Sequence, residues 1–115
     1  MAKRIARSGY NDEALTTTTK DLLTPGITSG RVFWLRGLVI TETGGTTDAT
    51  VIVYDQAEAA ATAANQRIPK LICPKGVTTT VEFPAPGVKF ITGVTATVSG
   101  GAVAAYNASA IGYEE

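Results

Sequence analysis

The side chains able to do chemistry are few, and their spacing keeps them apart. Histidine is absent from the 115 residues, so neither a Ser-His-Asp nor a Cys-His arrangement can form, and the usual proton shuttle at neutral pH is missing. Paired carboxylates are the remaining route to acid–base work. Glu42, Asp48, Asp55, Glu58 and Glu82 are spread over different turns and strand faces. No spacing forces two of them together, and solvated surface positions are expected for all five. Asp12-Glu13 is a lone acidic pair with no third ligand for a cation. Cys73 is the single cysteine. It has no partner for an intramolecular disulfide and no Cys/His cluster for zinc, so a small buried core position is expected for it. Gly44-Gly45 and Gly100-Gly101 neither open a helix after a strand nor precede Lys-Ser or Lys-Thr, and they read as hairpin turns rather than phosphate loops. Asn107-Ala108-Ser109 spells a glycosylation sequon, which without a secretory signal reads as a chance match. No catalytic, cofactor-binding or metal-binding residue is assigned, and an enzyme is not expected.

Charge narrows the partners. Lys3, Arg4 and Arg7 sit at the front, Glu114 and Glu115 at the end, and the formal net charge is zero. There is no global field to draw the chain to nucleic acid or to an acidic membrane. Three basic residues without interleaved aromatics are too few for a nucleic-acid footprint, and an acidic protein surface is the better match. The polar front lacks an apolar signal-peptide core, and no run approaches the ~18 apolar residues of a membrane span. Synthesis in a cytoplasm is expected.

The elements that must position these residues are strands. From Val77, Thr79, Val81 and Phe83 share one face, with Thr78, Thr80 and Glu82 on the other. Pro84 to Gly87 break the chain, and Val88 and Phe90 restart an inward face. Gly93 allows a bend before Val94, Ala96 and Val98 alternate with Thr95, Thr97 and Ser99, and a last strand is expected to end at Tyr106. Period-2 alternation punctuated by Gly and Pro predicts antiparallel sheets with one dry face and one threonine-covered face. Val32–Thr41 and Ala49–Tyr54 read as a hairpin across the Thr43–Thr46 turn, with a bulge or kink at Gly37. Trp34 reads as a core anchor, an interface being the alternative. Asp55 to Gln66 predicts a turn or two of helix or a compact loop, with Asp55 and Glu58 spelling a capping box. Arg67–Cys73 resumes as a strand, at an edge or bulged because Pro69 cannot donate to a ladder. The predicted core is Ile40, Val51, Val53, Val81, Phe83, Phe90 and Val98.

Residues 1–30 differ from the rest. The basic cluster, the polar Ser8–Glu13 patch, the Thr16–Thr19 run and Pro25-Gly26 predict an extended N-terminal arm, with a strand from about Leu15 to Leu23. Residues 31–115 are expected to form one all-β domain, an antiparallel sandwich or jelly roll.

Two passages resemble small structural proteins of tailed bacteriophages. One runs from Trp34 to Thr41 and on to Ala49–Asp55. The other runs from Phe83 to Val94, then through Ser99-Gly100-Gly101 to Ala104–Tyr106. This patterning is similar to that of head-decoration (cement) proteins and related virion accessory proteins, over roughly Val32 to Tyr113. The resemblance implies a non-enzymatic protein on the capsid surface, a homotrimer that clamps neighbouring copies of the major capsid protein. The arm residues Lys3, Arg4, Ile5, Arg7 and Tyr10 are expected to make those inter-subunit contacts. Deleting residues 1–13 is expected to leave a folded protein without binding. The alternative is a tail, fibre or baseplate module that binds a host receptor or glycan.

Overall fold

The computed structural model describes residues 4–15, 20–23, 26–43, 47–56, 65–99 and 106–115, with the backbone alone for 7–15, 20, 98–99 and 106. Among them nine strands form two antiparallel sheets: β1 (Ile5–Leu15), β2 (Lys20–Asp21), β3 (Phe33–Glu42), β4 (Ala49–Tyr54), β5 (Leu71–Cys73), β6 (Thr78–Glu82), β7 (Val88–Phe90), β8 (Thr95–Ser99) and β9 (Tyr106–Glu114). The larger sheet has the order β1-β9-β3-β6, with β7 also on β3; the smaller has the order β2-β8-β4-β5. Pairing is nested about the β4–β5 connection: β4 meets β5, β3 meets β6 and β7, β2 meets β8, and β1 meets β9.

Alternation sets the faces. In β4, Ala49, Val51 and Val53 are buried while Thr50, Ile52 and Tyr54 are half-exposed. In β3, Phe33 and Leu35 are buried, Arg36 is exposed, and Leu38 and Ile40 are buried. The phase slips by one residue at the expected bulge, where the ladder to β9 shifts between Leu35 and Gly37. That slip keeps Phe33, Leu35, Leu38 and Ile40 together on the inner face. Both sheets feed one hydrophobic cluster. It contains Leu35, Leu38 and Ile40 of β3, Val51 and Val53 of β4, Phe90, Ala96, Ala108 and Ala110, with Val81 and Phe83 packed against it. Each fully buried side chain of this size contributes about 1.5–3 kcal/mol.

Several expectations are corrected. β3 and β4 are not a hairpin. Both edges of β3 are taken, by β9 on one side and by β6 and β7 on the other, so β4 pairs in the other sheet with β8 and β5. The last strand begins at Tyr106 rather than ending there. Its inward positions are Ala108 and Ala110, small residues that carry little hydrophobic signal yet fit a centre strand between β1 and β3. Within the span expected as an extended arm, Ile5–Leu15 and Lys20–Asp21 are strands of the two sheets: β1 pairs with β9 from Ile5↔Glu114 to Leu15↔Tyr106, and β2 with β8. Leu22 and Leu23, beside β2, lie in the common core. Trp34 is half-buried between the buried Phe33 and Leu35, which turns it to the outer face. The turn or two of helix, or compact loop, expected over Asp55–Gln66, and the turns at Gly44-Gly45 and Gly100-Gly101, lie mostly or wholly outside the described residues.

Candidate interaction surface

The buried carboxylates come first, because they hold the loops that frame every surface. Asp55 is almost fully buried, and its Oδ1 accepts hydrogen bonds from the backbone N–H of Thr92 at 2.8 Å, Ile91 at 3.1 Å and Gly93 at 3.3 Å. Its Oδ2 takes the Arg67 guanidinium at 3.0 Å. Burial pushes the Asp55 carboxyl up, but the N–H groups of Thr92 and Ile91, Arg67 and the Gly93 N–H together outweigh it, so the group sits below its ordinary value. Glu42 accepts the Gly76 N–H at 2.9 Å. Glu114 accepts the Thr28 N–H at 3.0 Å and the Thr28 hydroxyl at 2.7 Å. Each of these acids ties a loop to a strand end. Glu42 and Asp55 are therefore not solvated surface groups, and the Asp55 carboxylate holds the β7–β8 turn.

Asp48 accepts the Lys75 N–H at 3.0 Å, Glu82 is exposed on β6, and Glu58 lies outside the described residues. Cys73 is buried, and desolvation raises its thiol although Thr79 hydrogen-bonds to it. Such a thiol is inert at neutral pH.

What faces outward is the other side of the larger sheet. Register sets its rows across the strands. Thr78, Thr41 and Asn107 form one row, and Thr80, Val39 and Ser109 the next. Glu82, Gly37 and Ile111 follow, then Lys89, Trp34, Tyr113 and Ala6 beyond the bulge. Thr41 and Thr78 share a hydroxyl hydrogen bond of 2.8 Å. An open groove of roughly 550 Å³ crosses this face, lined by Arg36, Val39, Glu82, Phe83 and Ile111 among others. Its floor is shallow at Gly37, where an added Cβ would come no nearer than 3.5 Å to the Val81 carbonyl. Arg36 holds the groove's rim by donating from Nε to the Phe83 carbonyl at 3.0 Å.

Of the residues expected to make contacts, Arg4 lies at this sheet's corner. Its guanidinium carbon stands 4.9 Å from the Tyr113 ring centroid, and its Nε donates to Glu115 at 3.1 Å. This exposed ion pair adds little stability, but together with the ring contact it orients a charged tip beside the Tyr113–Trp34 row. Tyr113 in turn donates its hydroxyl to the Pro86 carbonyl at 3.1 Å. Ile5 is exposed at the start of β1. Arg7 and Tyr10 occupy the β1 positions opposite Gly112 and Ser109. Lys3 lies outside the described residues. Sequence reasoning missed Lys89 and the groove. The signal for them was the Gly37 bulge, which reverses the face on which Trp34 falls relative to Leu38.

Comparison with protein-family models, with curated proteins and with solved structures returned no match.

Proposed function

We propose that the protein is a non-enzymatic structural component of a tailed-phage virion, a decoration protein that binds neighbouring major capsid subunits on the head surface. The observation that carries this reading is the nested strand order. With β6 and β7 counted as successive parts of one strand, β1-β9-β3-β6 and β2-β8-β4-β5 correspond to a long antiparallel ribbon rolled into two four-stranded sheets. That order supports reading the fold as a jelly roll, an arrangement used by viral capsid and lectin domains. Fold alone does not dictate function. The burial of Glu42, Asp55 and Glu114 in loop-holding bonds adds support, since it commits these acids to rigidity. Arg4 and Ile5, at the exposed front of β1, are the residues we expect to touch a neighbour.

The test adds purified protein to heads that lack it and images the particles by cryo-electron microscopy. Density repeating on the head lattice supports the proposal, and absence of binding to heads rejects it. The adjacency of Trp34 and Tyr113 in one row favours a second reading, a tail or fibre module that stacks a glycan on aromatic faces. Density confined to the tail would select that reading.

A further inference from the structure

Strand β1 forms one border of the larger sheet. It has β9 on one side and no strand among the described residues on the other. At 11 residues it is long for an edge with no covering strand, where monomers usually keep edges short, bulged or charged. Its charges are of both signs, and their placement is symmetric. Read outward from Tyr10, the positions at equal distance are Gly9 and Asn11, Ser8 and Asp12, Arg7 and Glu13, Ala6 and Ala14, Ile5 and Leu15. Small faces small or polar, hydroxyl faces carboxylate, cation faces anion, methyl faces methyl, and aliphatic faces aliphatic. An antiparallel ladder brings together the residues that such a palindrome matches.

We propose that β1 pairs antiparallel with β1 of a second copy of this chain, across a two-fold axis at Tyr10, so that two larger sheets become one. Main-chain hydrogen bonds along the edge supply the attraction, and the matched positions set the register. The contact is isologous, so Arg7 opposite the other copy's Glu13 occurs twice. Moving either strand by two residues sets Arg7 against Leu15 or Ile5 against Glu13, and both ion pairs are lost. The β1–β9 ladder is irregular between Asn11 and Leu15, where four steps along β1 face two from Ala108 to Tyr106. The difference is even, so Asn11 and Leu15 stay on the same face of the sheet. The contact joins two copies whether each stands alone or belongs to a larger ring, and it does not depend on the virion reading.

Charge reversal on the full chain tests it, with light scattering over a concentration series as the readout. The wild type is expected to dimerise. Arg7→Glu alone, or Glu13→Arg alone, sets like charges opposite each other twice and should weaken the dimer by about tenfold or more. Mixing the two variants one to one should restore a heterodimer, because every cross-strand pair then has opposite signs; that recovery also shows that each variant is folded. Combining both changes in one chain should likewise restore the homodimer. A second measurement does not rely on charge: Tyr10→Cys meets its own copy on the axis and should give a covalent dimer under mild oxidation, since paired Cα atoms lie within disulfide range and Cys73 is buried. A wild type that stays monomeric, an assembly that both reversals leave unchanged, or a Tyr10→Cys chain that stays uncrosslinked would overturn the proposal.

Discussion

Asp55 accepts three backbone N–H groups and a guanidinium from within the fold, so its charge is matched by four converging donors. Replacing it with asparagine puts an amide N–H against those donors and leaves Arg67 unpaired. A loss of about 3 kcal/mol is expected, measured by urea unfolding at neutral pH. The pH dependence has a definite sign. The folded-state carboxyl lies below its ordinary value of 3.8, so the unfolded chain takes up this proton first as acid is added. The stabilisation is complete above the ordinary value and drains away as pH falls through the lower folded one. The stability gap between wild type and Asp55→Asn should therefore narrow below about pH 4; a gap that stays constant to pH 2 would mean the charge is not what the loop reads. Cys73 gives a second residue-level expectation. Its buried, raised thiol should resist maleimide in the native protein at pH 7 and react at once in denaturant. Fast native labelling would contradict its place in the core.

At the scale of single elements, β9 is the strand on which the larger sheet turns. Its inward line has little volume, and at Gly112 the approach of β3 is too close for any side chain. A Cβ there would run into the Trp34 carbonyl and come within 2.7 Å of Phe33 Cζ. Gly112→Ala is expected to cost about 3 kcal/mol, while Gly26→Ala, with nothing within 4 Å, should stay within about 0.5 kcal/mol by thermal unfolding. Such a strand is hard to read in advance. Ala108, Ala110 and Gly112 are selected by the space between two backbones, and composition does not record that space. β4 and β6 were legible because Val51, Val53 and Val81 alternate with threonines and tyrosine on half-wet surfaces. The Gly37 bulge was legible for the same reason, as a glycine interrupting an apolar run. What alternation cannot encode is the neighbour: it assigns faces, and β3 and β4 were joined as a hairpin when each already had two other partners. The acids of the loops were misread because the N–H groups of Thr92 or Gly76 are invisible in side-chain chemistry. β1 was hidden by its polarity. Since it borders β9 along its length, removing residues 1–13 should lower the unfolding midpoint as well as any binding, and a truncated chain of unchanged stability would return this segment to the status of an arm that adds nothing to its own sheet.

For the molecule as a whole, nesting makes the first and last strands partners, with Ile5 opposite Glu114. The larger sheet cannot close until nearly the entire chain is available, and each closure spans a long loop whose entropy is lost before the pairing rewards it. Refolding from denaturant is accordingly expected on the millisecond-to-second scale of non-local β proteins, or slower, rather than in microseconds. The same topology predicts an asymmetry between the two ends. Loss of β1 strips one border from a sheet that still contains β9, β3 and β6. Loss of β9 removes the strand between β1 and β3, leaves both without their shared partner, and takes away the Glu114 carboxylate that holds Thr28. A chain stopped after Tyr106 should therefore show no cooperative melt by circular dichroism, whereas a chain starting at Ala14 should melt cooperatively at a lower temperature. If the two truncations behave alike, the pairing is not organised around β9, and the rolled-ribbon order that supports the virion reading loses its physical basis.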